Sequence, residues 1–147
     1  GLRSAYGAAA GANDWQCGWI DLVGHVAQHC WLESSPVSLV FLGYPLHPPG
    51  KPQQVRVSHL PHIIHPMLVV QGARDAFGTP AELRLFFDVL PAASEIYTVQ
   101  HGGHSLDVTK RSGLSQAAVL SAAQDRVAAW VGECLASATH GGWRRPP

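Results

Sequence analysis

The chain has 147 residues, which is enough for one domain with a modest core. Its ten Lys and Arg residues balance its ten Asp and Glu residues, so the formal net charge is zero with His neutral. The absence of a basic face argues against nucleic acid as a main partner. No apolar run approaches the roughly 18 residues that a membrane-spanning helix needs, so the sequence predicts no membrane partner.

The cysteines are few, scattered and odd in number: Cys17, Cys30 and Cys134. This pattern is not that of a disulfide framework, because such frameworks use paired cysteines at close spacing. The sequence therefore predicts a reducing, cytoplasmic location.

The N-terminal part predicts a loop followed by a helix. Residues 1–13 are small and glycine-rich and favour a loop. From Asp14, a plausible helix cap, apolar residues recur at steps of three and four and predict one buried helix face: Trp19, Leu22, Val23, Val26 and Cys30. Pro36 ends that helix because proline cannot continue it.

The middle of the chain predicts a buried strand and a rigid loop. The run Val37–Gly43 is continuously apolar with β-branched and aromatic residues, as in a strand buried on both faces. The segment Tyr44–Gly50 is too rich in proline for a helix or a central strand. Val55–Leu60 predicts a short helix that Pro61 would end.

The C-terminal half predicts two strands and two helices. Met67–Gly72 is a second buried strand. Thr79 and Glu82 have the spacing of a capping box, with Pro80 at the first helical position of a helix that runs to about Leu90. The remaining predictions are a third strand at Glu95–Val99, a helix at Gln116–Leu135 and a disordered tail over residues 136–147.

Helices and strands alternate along the chain, and this order predicts the α/β class. The expected architecture is a three-layer α/β/α domain over residues 1–135 with a mostly parallel sheet. Three strands would leave two parallel edges exposed, which folded proteins avoid. We therefore expect the chain to be the C-terminal part of a larger sheet that lacks its N-terminal strands.

Two residues that suit acid–base chemistry follow consecutive predicted strands. Asp75 comes after Met67–Gly72, and His104 comes after Glu95–Val99. Side chains that follow parallel strands lie together at the carboxyl end of the sheet, which is where ligands bind in open α/β sheets. A carboxylate on one imidazole nitrogen would leave the other free to take a proton from a nucleophile. The alternative is that Asp75 caps a turn and His104 is an ordinary loop residue.

Four ordered segments carry a resemblance to a known superfamily: Gly43–Gly50 (GYPLHPPG), His59–Pro61 (HLP), Val70–Gly78 (VQGARDAFG) and Gly102–Ser105 (GGHS). From Leu42 to about Trp130 the chain resembles the alpha/beta-hydrolase superfamily, in particular the dienelactone-hydrolase-like branch with its KANL/Tex-type predicted hydrolases. The resemblance implies a partial alpha/beta-hydrolase fold, with Asp75 as triad acid and His104 as triad base. It also implies that Tyr44–Gly50 is a rigid loop over the pocket.

The nucleophile is where the sequence departs from that superfamily, because no intact G-x-S-x-G elbow is present. Gly1–Gly7 resembles a variant elbow with Ser4 as nucleophile, although Tyr6 stands where a glycine is expected. Asp21 is the alternative nucleophile, because the number of residues between it and the strand at Val37 matches the superfamily better. A third possibility is that the chain holds no working nucleophile.

The sequence therefore predicts a serine hydrolase for a small ester-like substrate, with Ser4, His104 and Asp75 as its triad and no cofactor. The alternative is an inactive hydrolase-like binding or scaffolding module, or a truncated fragment. The evenly spaced His59, His62 and His65 do not predict a metal site, because prolines interrupt any helix that would align them. The oligomeric state stays open.

Overall fold

A parallel three-stranded sheet forms the core of the fold in the described residues. The computed structural model describes residues 38–139. Within that range the strands are β1 (Leu39–Leu42), β2 (Met67–Gly72) and β3 (Ser94–Val99). They lie in the order β1-β2-β3, and both neighbouring pairs are parallel. The predicted α/β class and parallel sheet are therefore confirmed.

The register aligns the carboxyl ends of the strands. Leu39 pairs with Met67, and Met67 pairs with Ser94. At the other end Gly72 pairs with Val99. Because all three strands run the same way, the loops after them emerge at one edge of the sheet.

Two helices and two short 3₁₀ turns accompany the strands. Helix α1 spans Pro80–Phe87, and helix α2 spans Gln116–Thr139. The 3₁₀ turns lie at Leu60–His62 and Lys110–Ser112.

One predicted helix is absent, and two others end at different residues than expected. Residues 55–60 do not form the expected helix, and the chain instead makes a 3₁₀ turn at Leu60–His62 that contains Pro61. A proline is tolerated there because the first turn of a helix needs no N–H at that position. Helix α1 ends three residues earlier than expected. Helix α2 runs four residues beyond Leu135 to Thr139, through the start of the predicted tail, because Ala136–Thr139 contains no helix breaker.

The predicted start of α1 is confirmed in detail. Thr79 accepts from the backbone N–H of Glu82 at 3.4 Å, and its own N–H donates to Glu82 Oε2 at 2.8 Å. Pro80 occupies the first turn, where a missing N–H costs nothing. This capping box fixes where the loop after β2 ends.

Helices cover both faces of the sheet, as the three-layer prediction required. Every residue of β2 is buried, and its side chains alternate between the faces as strand geometry dictates. Met67 and Val69 pack in one cluster with Leu83 and Phe87 of α1. On the other face, Leu68 and Val70 pack with α2 residues that include Trp130 and Cys134.

Several predictions fall outside the described residues. They are the N-terminal loop with Ser4, the helix from Asp14 with Asp21, and residues 140–147 of the predicted tail. Between residues 38 and 139, neither helix has the combined length and apolarity needed to cross a membrane.

Candidate active site

Asp75 and His104 are in contact at the carboxyl end of the parallel sheet. His104 Nδ1 lies 2.8 Å from Asp75 Oδ2, so the loops after β2 and β3 bring the two predicted residues together. Because a carboxylate only accepts, Nδ1 carries the hydrogen of this bond. In the neutral ring Nε2 then keeps its lone pair and can accept a proton.

The Asp75 carboxylate is buried and held at both oxygens. Its side chain has no solvent exposure. Oδ1 accepts from the backbone N–H of Phe77 at 2.8 Å, which closes a tight turn. Oδ2 accepts from Gln71 Nε2 at 2.7 Å as well as from His104. All these partners donate, which is the arrangement that an ionised carboxylate needs.

The imidazole of His104 is packed but open on one side. Its side chain is 24% exposed. The ring of Phe77 lies against it, with ring centroids 4.4 Å apart. Gly43, which follows β1, adopts a φ of +72°, and a Cβ there would come within 3.4 Å of the imidazole and 2.6 Å of His104 O. A glycine therefore lets the loop after β1 pass directly beneath His104.

The backbone of the His104 loop lies against the end of β2. A Cβ at Gly72 would be 2.2 Å from Gly103 O and 2.5 Å from Gly102 O. The N–H of Arg74 donates to Gly102 O at 2.9 Å. Close contact of this kind is possible only because residue 72 has no side chain, and it fixes the spacing between the two loops.

Two non-glycine residues of this loop have strained backbones. His101 and Leu106 both have a φ of +60°, a conformation that costs L-residues free energy and that persists only where surrounding contacts hold it. At His101 the contact is visible, since its carbonyl accepts from Arg74 Nε at 3.1 Å and from Nη2 at 2.7 Å. Arg74 is therefore engaged in holding the loop.

Tyr44 anchors the proline-rich segment after β1. Its hydroxyl donates to Arg56 O at 2.7 Å and lies 3.1 Å from His59 Nε2. Its ring packs edge to face against the ring of Phe87, with the ring centroids 5.3 Å apart. Burial raises the pKa of Tyr44 above its ordinary value and lowers the pKa of His59, so both groups are held in their neutral forms.

The same segment also contacts the Asp75 loop. His47 is buried, and its backbone N–H donates to the backbone carbonyl of Phe77 at 2.9 Å. The predicted loop after β1 therefore packs beside the candidate site.

A scan against protein-family models matches residues 18–132 to a model described as an alpha/beta hydrolase domain. The chain belongs to the alpha/beta hydrolase family. No curated protein and no solved structure matches the chain. The match covers β1 to β3 and α2 as far as residue 132, and it includes both Asp75 and His104 of this alpha/beta hydrolase domain. It begins after Ser4, so that predicted nucleophile lies outside both the match and the described residues.

Among residues 38–139 of the alpha/beta hydrolase domain, no group of three His, Cys, Asp or Glu side chains is placed to hold a metal ion. Of the three histidines considered in the sequence, His59 contacts the Tyr44 hydroxyl instead.

Sequence reasoning missed Gln71, Gly43 and Phe77, which all contact Asp75 or His104. Of these three residues, only Gln71 gave a signal in the sequence, because it is a polar residue within the apolar strand Met67–Gly72. A side chain buried on such a strand requires hydrogen-bond partners, which marks it as part of a polar network.

An apolar groove of about 410 Å³ lies elsewhere in the alpha/beta hydrolase domain, between β1 and α2. Its lining includes Val40, Leu42, Leu120 and Val127. Neither Asp75 nor His104 lines this groove, so the groove is separate from the candidate site.

Proposed function

We propose that the chain is a serine hydrolase that cleaves ester-type bonds through Ser4, His104 and Asp75. The observation that carries the proposal is the 2.8 Å contact between His104 Nδ1 and a fully buried Asp75 carboxylate. Membership of the alpha/beta hydrolase family supports a hydrolytic reaction. Within that family, the dienelactone-hydrolase-like branch is our preferred placement, on the segments that the sequence analysis named.

In the proposed reaction, His104 acts first as base and then as acid. Nε2 takes the proton of the Ser4 hydroxyl as its oxygen attacks the ester carbonyl. Asp75 holds the ring orientation and stabilises the imidazolium. The same nitrogen then protonates the leaving alkoxide, and a water molecule hydrolyses the acyl-enzyme by the same route. A small-molecule substrate, no cofactor and a cytoplasmic location complete the proposal, and the free buried thiol of Cys134 agrees with a reducing compartment.

Labelling with a fluorophosphonate probe tests the proposal, because the probe reacts only with an activated serine. The wild-type chain is expected to label at one site, and Ser4→Ala is expected to abolish the label. Asp75→Asn should slow labelling by about 10⁴, since an amide cannot hold the imidazole in the required tautomer. His104→Ala should slow it at least as much.

Two matched controls separate chemistry from general damage. Ser105→Ala removes an exposed hydroxyl next to His104, and His101→Asn removes an exposed imidazole from the same loop with a residue that tolerates positive φ. Both variants should label at the wild-type rate. Labelling that persists in Ser4→Ala would refute Ser4 as nucleophile. Ester turnover that persists in Ser4→Ala but disappears in Asp21→Asn would instead assign the nucleophile to Asp21.

A hydrolase-like binding module without turnover is the second proposal. It is favoured by one observation: the family match begins at residue 18, so it gives no support to Ser4. This proposal predicts no probe labelling and no ester turnover by the wild-type chain. Turnover that disappears in His104→Ala would end it.

A further inference from the structure

Gln71 is a fully buried polar residue within an apolar strand. It is the fifth residue of β2, between Val70 and Gly72, and its exposure is 0%. A buried amide without partners would cost free energy, so its hydrogen bonds explain why it can occupy the site.

The orientation of the amide follows from its partners. The backbone N–H of Tyr44 donates to Gln71 Oε1 at 2.7 Å. The amino group is therefore the end that faces Asp75 Oδ2 and Gly78 O at 2.7 Å each and Tyr44 O at 3.1 Å. All three of these atoms are acceptors, so only a donor satisfies this side of the residue.

Gln71 and His104 use the same oxygen of Asp75. Nε2 of Gln71 and Nδ1 of His104 both donate to Oδ2, while Phe77 N–H holds Oδ1. A carboxylate held at both oxygens cannot turn about its last torsion, and Oδ2 stays directed at the imidazole. The same amide also fixes Tyr44, which follows the glycine that passes beneath His104.

We propose that Gln71 is a positioning residue for the Asp75–His104 pair. Its amide fixes the direction of the carboxylate and ties the loop after β1 to the loop after β2. The inference rests on the proposed function for its kinetic consequence, but the geometric effect on His104 is measurable without turnover.

The first test follows the His104 Nδ1 proton by NMR in the 147-residue chain. A hydrogen bond to a buried carboxylate shifts such a proton far downfield and protects it from exchange. Gln71→Met keeps the length of the side chain and removes the donor. We expect the resonance to move upfield or to be lost through exchange, because Oδ2 of Asp75 loses one of its two donors and only His104 itself then holds that oxygen.

Gln116→Met is the matched control for this test. Gln116 also bridges backbone groups with both ends of its amide, accepting from Val108 N at 2.8 Å and donating to Leu106 O at 3.1 Å. It lies close to the His104 loop but does not contact Asp75, so this variant should keep the resonance. A wild-type resonance in folded Gln71→Met would overturn the proposal.

The second test uses Gln71→Glu, which preserves shape and adds a titrating group. Its introduced carboxyl can donate only while protonated, and burial beside Asp75 raises the pKa of that carboxyl. The labelling rate relative to wild type should therefore fall at least tenfold as pH rises from acid to alkaline. Gln116→Glu, at an exposed site, should show no such fall.

The two tests distinguish the two proposals and allow for misfolding. If the wild-type chain does not label but Gln71→Met shifts the His104 proton, the hydrolase proposal fails and the positioning proposal stands. If Gln71→Met does not fold, Gln71→Glu is compared with wild type at each pH instead, and a His104 proton that keeps its wild-type position at alkaline pH overturns the proposal.

Discussion

Replacing Gly72 by Ala tests the close approach on which the site geometry depends. The added methyl group would lie 2.2 Å from Gly103 O and 2.5 Å from Gly102 O. Ordinary carbon–oxygen contacts are about 3.3 Å or longer. Since both neighbours are backbone atoms, the two loops would have to separate by roughly 1 Å to relieve the clash.

The expected cost of Gly72→Ala is about 1–3 kcal/mol in the free energy of unfolding, the usual penalty for extra volume in a packed region. At this chain length each kcal/mol lowers Tm by roughly 4 °C, so Tm should fall by about 4–12 °C. Thermal and urea unfolding followed by circular dichroism measure the change. The His104 Nδ1 proton should shift as well, because the loop that carries His104 is the one displaced.

Gly132→Ala is the control for this prediction. Gly132 lies within α2, and a Cβ there would meet nothing within 4 Å. Alanine is favoured over glycine in a helix by about 1 kcal/mol, so this variant should be slightly more stable than wild type. An unfolding midpoint for Gly72→Ala equal to that of wild type would refute the packing described between β2 and the His104 loop.

Two further predictions concern polar groups outside the site. Hydrogen bonds from Thr79 lower the pKa of Glu82, so this group stabilises the folded chain above the ordinary Glu pKa of about 4.3 and loses its contribution as pH falls through the lowered pKa. The backbone N–H of Thr79 makes the larger contribution and remains in Thr79→Ala, whereas the hydroxyl that also donates to Glu82 is lost. Thr79→Ala should therefore cost about 1 kcal/mol in urea unfolding at neutral pH and somewhat less at pH 3, and an equal loss at both pH values would contradict this role of the hydroxyl. Arg126 pairs with Glu95 at 2.6 Å and with Glu133 at 3.0 Å, linking α2 to β3, so Arg126→Gln should cost up to about 1 kcal/mol at low salt and less in 1 M NaCl. A loss that does not depend on salt would assign the effect to packing of the arginine stem.

The elements that could be predicted from the sequence are those with a strong local signal. The strand Met67–Gly72 was predicted to the residue because a short apolar run between polar segments has few alternatives. The start of α1 was predicted for the same reason, since Thr79, Pro80 and Glu82 form a complete capping signal.

The failed helix at residues 55–60 shows where local patterns lose to distant contacts. Arg56 donates its backbone N–H to Leu46 O at 2.7 Å and accepts from the Tyr44 hydroxyl at its own carbonyl. These bonds to residues ten and twelve positions earlier replace the helical ones. Propensity over six residues is a weak preference, and tertiary bonds of this kind override it.

The contact between Asp75 and His104 could be predicted because the topology brings the loops that carry them to the same end of the sheet. Consecutive parallel strands deliver their following loops to one edge, whatever the side chains are. The contacts that orient the pair could not be predicted, because Gln71 bonds to Tyr44 at a separation of 27 residues. No local pattern encodes which distant backbone group a buried amide will meet.

Within residues 38–139, the Asp75–His104 pair and its supporting contacts involve only residues from 43 to 104, and Ser4 lies outside this part of the sequence. The contacts that fix the pair include the loop approach permitted by Gly72, the glycine beneath the imidazole, the amide of Gln71, and the backbone N–H and ring of Phe77. None of these depends on a nucleophile. The Nδ1 proton of His104 should therefore be unchanged in Ser4→Ala and disturbed in Gly72→Ala, so the geometry of the pair can be tested even if no serine in the chain reacts.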